Sequence, residues 1–340
     1  MDDTALKLSF ASAMAEVDPE EWNAVANPAG VRFDPFLKWE FLDAMETSGA
    51  ATPNTGWMPR HVLIRDATGR LKAAMPLYGK THSRGEFVFD QSWADAYERA
   101  GGAYYPKLLG AVPFTPVTGR RLLVRPGPDA IRLQTALLSG AIQLAEQNEL
   151  SSLHINFASP EEATMLSETG LLLRTDQQFH WQNRDYGSFD DFLADLSSSK
   201  RKNLRKERAK AQEGLDFVHL RGDDITEAHL DAFYIFYMDT GTRKWGSPYL
   251  TRDTFSLLRE RMADDLLFIF AMSDGAPIAG AMNLIGSDTL YGRYWGCTEH
   301  RSMLHFETCY YQAIDYAIAH GLGRVEAGAQ GDHKLARGYR

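Results

Sequence analysis

The chain has 340 residues, more than a single hydrophobic core usually serves, so two domains are expected. Hydrophobic residues make up 44% and charged residues 24%, a balance that excludes a disordered, collagen-like or disulfide-stapled protein. The net charge of −9 argues against bulk binding of nucleic acid. Residues 200–210 (KRKNLRKERAK) nevertheless carry +6, which leaves −15 for the rest and predicts a local anionic partner such as phosphate groups.

The sequence shows no targeting or membrane segment. The acidic N-terminus (MDDTALKLSF) lacks the apolar core of a signal peptide. The longest apolar run, residues 266–272 (LLFIFAM), is far shorter than the roughly 20 residues of a membrane helix. Cys297 and Cys309 suit neither a zinc site nor a disulfide framework. We expect a cytoplasmic protein with no membrane span and no bound metal, and the sequence leaves its oligomeric state open.

In the first half, the pattern predicts a hairpin, a helix and a buried strand in that order. Residues 61–80 alternate around the turn DATGR, which predicts two antiparallel strands. The loop RPGP at 125–128 leads into an amphipathic helix over 131–148, and LHINF (153–157) follows as a strand. A short helix over 161–170 and a further strand, LLLRTD, are predicted after it.

The second half repeats this order. Strands are predicted for residues 266–272, for IAGAMNLIG and for TLYGRYWG, followed by a helix of about 305–320 and the strand VEAGA. Residues 141–153 align with 313–325 at an offset of 172, and 73–77 with 280–284 at an offset of 207. The difference places about 35 extra residues in the first half. The sequence therefore predicts a tandem duplication, each half a mixed α/β sheet flanked by helices.

Particular segments resemble known families. Residues 117–127 and 159–174 are similar to the GNAT acyltransferase fold, and 199–217 and 291–334 to the Fem-type peptidyltransferase branch of that superfamily. From about Phe36 onward the chain resembles bacterial FemAB-like predicted N-acyltransferases, most closely at 179–193, 249–255 and 328–339. The resemblance implies tandem GNAT-like α/β domains, 1–185 with an aromatic-rich insert and 186–340. Relatives are expected to continue beyond Arg340, so the second sheet is expected to be incomplete.

The resemblance also implies an activity, transfer of an acyl group from acyl-CoA to an amine of an amino acid, amino sugar or peptide. Direct attack on a bound thioester needs no permanently bound cofactor, and acyl-CoA would be a co-substrate. One alternative is a Fem-type aminoacyltransferase that uses aminoacyl-tRNA on peptidoglycan precursors. Another is a non-catalytic module that binds cell-wall fragments or nucleic acid through the basic segment. The absence of a recognisable long helical arm for tRNA favours acyl-CoA.

Candidate acid and base groups cluster near the end of the chain. Glu326 occupies the last predicted strand, where His154 is its counterpart in the first half. Amine attack needs a proton acceptor, and a carboxylate beside an imidazole suits that role. We therefore expect Glu326, helped by Asp332 or His333, to accept the proton, with Gln330 and Lys334 in the same turn contacting substrate. The competing interpretation is that Glu326 pairs with Arg324 or Lys334 at a sheet edge.

A second group of candidates surrounds the start of the helix near residue 305. His305 and Glu307 open the helix, while Arg293 and Trp295 lie on the preceding strand. Because a helix N-terminus favours anions, this group and Arg301 in the loop are candidate ligands for a pyrophosphate or carboxylate. Alternatively, Glu307 complements the helix dipole and His305 is simply exposed.

Three further segments have two or more interpretations each. Arg243, Lys244 and Trp245 either grip an anionic or sugar-like ligand or anchor a folded loop. The aromatic insert at 86–118 either walls a substrate cleft or, as we favour, covers the sheet. The basic run, with Arg205 and Lys206 near its centre, is a solvated helix face, a phosphate grip for coenzyme A or tRNA, or a contact to an anionic polymer.

Overall fold

A computed structural model describes residues 5–245, 248–328 and 331–340. It divides into two compact units, Met1–Thr175 and Asp176–Arg340. The first unit contains β1 (Lys7–Ala11), α1 (Pro19–Ala26), α2 (Trp39–Thr47), β2 (Trp57–Pro59), β3 (His61–Arg65), β4 (Leu71–Met75), β5 (Leu77–Lys80), α3 (Gln91–Arg99), β6 (Lys107–Gly110), β7 (Leu123–Val124), α4 (Ala130–Gln147), β8 (Leu153–Ile155) and α5 (Pro160–Glu168).

The second unit follows the same course. It contains β9 (His180–Gln182), α6 (Phe189–Ala194), α7 (Ser198–Gln212), β10 (Asp216–Leu220), α8 (Glu227–Trp245), α9 (Arg252–Met262), β11 (Leu266–Ser273), β12 (Ala276–Ile285), β13 (Thr289–Cys297), α10 (Leu304–Phe306), a π-helical turn (Glu307–Tyr311), α11 (Gln312–Ala319), β14 (Arg324–Ala327) and a final 3-10 turn (Asp332–Arg337).

In the first unit the predicted hairpin forms, with its second arm divided into β4 and β5. The Asp66 carboxylate accepts hydrogen bonds from the amides of Thr68 and Arg70, and Gly69 adopts the left-handed conformation that closes the turn. The sheet orders are β1-β3-β4-β7 and β2-β5-β6-β8, with β6 and β8 parallel. Apolar positions of α4, among them Leu133, Leu137 and Ala141, pack in the core with β3 and β4.

In the second unit all strands form one sheet, ordered β10-β11-β12-β13-β14-β9. Neighbouring strands are antiparallel except β13 and β14, which are parallel. Six consecutive residues of β11, from Leu266 to Ala271, are buried, as their unbroken apolar sequence predicts. Ile314 and Ala317 of α11 pack with Leu267 and Val325 in the core of this unit.

The two units share one topology, strand, two helices, three antiparallel strands, helix and parallel strand, which confirms the predicted duplication. β8 and β14 lie at the predicted offset of 172, and β4 and β12 at 207. The strand predicted at 171–176 does not form, and these residues have no regular secondary structure. Residues 180–182, placed in the first domain by the expected boundary at 185, pair instead with β14 of the second unit.

Two other expectations concern the surface. Tyr104 of the aromatic insert is buried, as cover for the sheet requires, whereas Phe89 and Trp93 are 54% and 58% exposed. Within the described ranges, no helix combines the length and the apolar character needed to cross a bilayer.

Candidate active site

Of the two parallel strands of the second unit, β13 is the longer and continues past the end of β14. Their pairing begins at Thr289 and Arg324 and ends at Gly292 and Ala327, while β13 continues to Cys297. Met282 pairs with Tyr294 and Asn283 with Gly292, so Arg293 is the extra residue of a bulge in β13. A bulge bends its strand and redirects the side chain it carries. Arg293 is therefore the first residue of β13 beyond its pairs with β14.

A buried charge cluster lies where the pairing of β13 and β14 ends. The Glu326 carboxylate is 3.4 Å from Arg293 Nη2, 3.8 Å from Arg324 Nε and 3.9 Å from His180 Nε2. The Arg293 and Glu326 side chains are only 2% and 5% exposed. Burial lowers the pKa of His180, although the nearby carboxylate opposes this effect. The contact with Arg324 is the one that the structural interpretation of Glu326 predicted.

Lys334 adds a cation to the same region. Its residue is 1% exposed, and its Nζ donates a 2.8 Å hydrogen bond to the Gly328 carbonyl. Burial lowers the pKa of Lys334 to about 8, and the charge of Arg293 contributes to the shift. The amine therefore remains mainly protonated at neutral pH. Arg293 and Lys334 together offer positive charge to an anionic group.

A group of aromatic rings lies on the other face of the sheet, because Trp295 pairs with Ala281, which packs in the core with Val325, whereas Glu326 follows Val325 on β14 and points away from that core. The rings of Trp295 on β13 and His305 on α10 are 5.1 Å apart, and both residues are half-buried. The Tyr310 hydroxyl, in the π-helical turn, lies 2.9 Å from His333 Nε2. Burial raises the pKa of Tyr310, so its phenol stays neutral. His333 itself is exposed to solvent.

The structure does not bring every candidate into this group. Glu307 is fully buried and accepts hydrogen bonds from Arg208 Nε at 3.2 Å and from Gln212 Nε2 at 2.8 Å, so it faces α7. Burial raises the pKa of Glu307. Arg301 donates to Ser273 Oγ and to Glu299 in its own loop. The anion site expected from Arg301, His305 and Glu307 together is therefore not assembled.

The remaining candidates lie elsewhere. Arg205 and Lys206 are exposed on α7, and Arg205 pairs with Asp190 at 3.0 Å. Gln330 lies outside the described residues, and the side chains of Arg243, Lys244, Trp245 and Asp332 lie outside the described part of the structure.

In the first unit, main-chain segments bond to each other beyond the end of the parallel pair β6 and β8. Beyond the paired part of β8, the amide of Gly119 donates to the Phe157 carbonyl at 3.0 Å. The fully buried Arg121 donates to the carbonyls of Asn156 and Val117, at 3.1 and 2.6 Å. Glu162 accepts the amides of Arg121 and Leu122. Burial lowers the pKa of His154, the counterpart of Glu326, to about 4, so its imidazole is neutral.

Sequence reasoning missed several of these groups. His180 reaches Glu326 only because β9 pairs with β14, and Tyr310 reaches His333 from a π-helical turn. A cavity of about 240 Å³ at the start of α4, bordered by Arg70, Lys72 and Arg125, was also missed. The RPGP loop before α4 is the one signal that pointed to it.

Comparisons with known proteins agree on the fold. A model of the FemAB-like family, described as peptidoglycan biosynthesis/recognition, matches residues 13–340. The structure of FemX has a TM-score of 0.55 at 13% identity, over 93% of this chain and 88% of that chain. L-PGS from Bacillus licheniformis has a TM-score of 0.55 at 10% identity, over 93% and 77%.

A third similar structure is the C-terminal DUF2156 domain of a putative lysylphosphatidylglycerol synthetase from Agrobacterium fabrum, with a TM-score of 0.57 at 9% identity, over 96% and 82%. A search of curated proteins finds none with significant similarity to the chain. The predicted tandem GNAT-like α/β fold is confirmed.

Proposed function

The chain belongs to the FemAB-like family, and on this premise we propose that it is an N-acyltransferase whose second unit carries the reaction. Family and fold support a transferase of acyl or aminoacyl groups on peptidoglycan-related substrates. The finer proposal is that the donor is acyl-CoA and the acceptor is the amine of an amino acid, amino sugar or peptide. One observation supports it: β13 continues to Cys297, past its last pair with β14 at Gly292 and Ala327, and carries a buried charge cluster at that end.

The donor would bind along the part of β13 that extends beyond its pairs with β14. Arg293 and Lys334 are buried like Glu326, so they would act on an anionic donor through their positive charge rather than by direct contact, and Lys334 is largely protonated at neutral pH. The half-buried rings of Trp295 and His305 form an apolar wall on the other face of the sheet. A donor held at this end of β13 has its carbonyl in a fixed position, which lowers the entropic part of the barrier.

In the reaction the amine nitrogen attacks the thioester carbonyl. The C–N bond forms, the C–S bond breaks, and the coenzyme A thiolate leaves and takes a proton from solvent. We assign the proton of the attacking amine to His333. His333 is exposed, and its Nε2 lies 2.9 Å from the Tyr310 hydroxyl, which orients the ring.

This assignment differs from the expectation that Glu326 is the base. The Glu326 carboxylate is 5% exposed and is engaged by Arg293, Arg324 and His180, which leaves an incoming amine little access. We propose instead that Glu326 positions Arg293.

The test compares Glu326→Gln, His333→Gln and the control His300→Gln, an exposed histidine of the loop before α10. Each protein is incubated with acetyl-CoA and a panel of amino acids, amino sugars and muropeptides, and thiol release and acylated product are measured. We expect His333→Gln to lower kcat about 10²- to 10⁴-fold with little change in coenzyme A affinity. Glu326→Gln should mainly weaken coenzyme A binding. Equal turnover by His333→Gln and the control would remove His333 from the mechanism.

The family description also favours a second candidate, an aminoacyltransferase that uses aminoacyl-tRNA on peptidoglycan precursors. Ligands that bind only the folded state raise the thermal midpoint. A midpoint raised by charged tRNA but not by coenzyme A would replace the acyl-CoA donor with this one.

A further inference from the structure

The basic helix α7 has an inner and an outer face of different character. Leu204 and Ala211 are buried on the inner face. Lys202, Lys206 and Lys210 are exposed and recur every four residues, so they form one row along the outer face. At 1.5 Å per residue, successive lysines are about 6 Å apart along the helix axis. The sequence showed a basic run, and the fold turns part of it into a linear surface.

The charge of this row is not neutralised within the described part of the chain. The three lysines form no ion pair with any described residue. Glu207, the single acid of α7, is turned inward, where it accepts hydrogen bonds from Tyr311 at 2.6 Å and Arg337 at 2.9 Å. Within α7 the outer face therefore carries only positive charge, while the exposed Glu213 follows the helix directly and Asp190 pairs with Arg205 beside the row.

The helix that carries the row is firmly attached to its unit. Arg208 forms ion pairs with Glu307 and Asp315, and Lys200 Nζ donates to the Leu335 carbonyl at 3.1 Å. Leu335 is itself 43% exposed and provides an apolar contact beside the first turns of α7.

We propose that the lysine row of Lys202, Lys206 and Lys210 docks the second unit onto an anionic membrane surface. The rest of the chain carries −15, so this face is the one that a negative surface attracts. Lysine ammonium groups act as flexible point charges, which suit a layer of mobile lipid headgroups better than fixed bidentate sites. The exposed residues of α7 include no aromatic ring on which nucleic-acid bases could stack. The proposal is independent of the transferase activity.

The experiment measures cosedimentation with phosphatidylcholine vesicles that contain or lack phosphatidylglycerol. The test variant is Lys202→Gln/Lys206→Gln/Lys210→Gln, since glutamine retains helix propensity. The control, Lys7→Gln/Lys72→Gln/Arg99→Gln, removes the same number of exposed charges from the first unit. Circular dichroism and thermal midpoints verify that both variants fold.

We expect the wild type and the control to sediment with the anionic vesicles only, and less so as salt is raised. Each lysine should contribute about fivefold to the partition coefficient, so the test variant should lose about 100-fold. Equal binding by the folded test variant and the wild type would overturn the proposal, as would a wild type that ignores anionic vesicles. Binding of bulk tRNA in place of vesicles would assign the row to nucleic acid and equally overturn it.

Discussion

The two units have the same topology but treat the space beside their parallel strand pair differently. In the first unit residues 117–122 occupy it, with Arg121 bonded to main-chain carbonyls and Glu162 bonded to main-chain amides. In the second unit the last pair between β13 and β14 joins Gly292 to Ala327, and Arg293, Trp295 and Lys334 lie near that end of the pairing. The two copies therefore place different groups at the end of the same pair of parallel strands: main-chain hydrogen bonds in the first unit and a cluster of charged side chains in the second.

The largest expected effect comes from exchanging one arginine in each unit for methionine. Arg121→Met should lower the free energy of unfolding by about 3–5 kcal/mol, because the carbonyls of Asn156 and Val117 lose their donor and the buried Glu162 loses a neighbouring cation. Arg293→Met should cost only about 1–2 kcal/mol, since Glu326 keeps Arg324 and His180, but it should weaken coenzyme A binding. Urea unfolding and calorimetric titration measure the two effects.

The reverse pattern would contradict this comparison. If Arg293→Met were as destabilising as Arg121→Met, the charge cluster of the second unit would be structural. Arg121→Lys, which retains the charge, serves as a milder variant should Arg121→Met fail to fold.

A buried lysine in each unit gives the next effect. Burial lowers the pKa of Lys80 to about 7 and that of Lys334 to about 8. The unfolded chain holds lysine protons up to its ordinary pKa of 10.5, so between these limits it binds more protons than the folded chain. The free energy of unfolding should therefore rise with pH, by up to about 1.4 kcal/mol per pH unit for each lysine. Below pH 7 both charged amines destabilise the fold by a constant amount.

Lys80→Met and Lys334→Met should each remove their own part of this rise, while the exposed Lys72→Met should leave it unchanged. The two lysines differ in ligand binding. Coenzyme A affinity should fall above pH 8 in the wild type and in Lys80→Met, and Lys334→Met should lack this dependence. Urea unfolding and titrations at several pH values provide the measurement, and an unchanged pH profile in Lys334→Met would separate Lys334 from the donor.

The smallest predicted effect compares one helix N-cap in each unit. The hydroxyls of Ser159 and Ser188 accept the amides of Glu162 and Asp191 at the starts of α5 and α6. Ser159→Ala and Ser188→Ala should each lower the free energy of unfolding by about 1 kcal/mol. Markedly unequal losses of unfolding free energy, measured in urea, would show that the two units also differ in the strength of their helix caps.

Sequence reasoning went furthest where the signal is local. The hairpin over 61–80, the helix that became α4 and the buried strand β11 follow from turn residues and apolar periodicity. It failed for Glu307, whose position at a helix start suggested an anion site. Its carboxylate points to α7, because an inserted π-helical turn and the facing Arg208 decide its direction.

The sequence by itself determined that two copies of one α/β module follow each other, because periodicity and turn chemistry act over a few residues and recur at constant offsets. Only the tertiary structure decided which groups lie at the end of each parallel strand pair, which charges are buried and which lysines of α7 face outward. His180 and Glu326 meet through a strand pairing between distant parts of the chain. Such contacts depend on how whole elements pack, and packing is a property of the assembled core that no short window of residues contains.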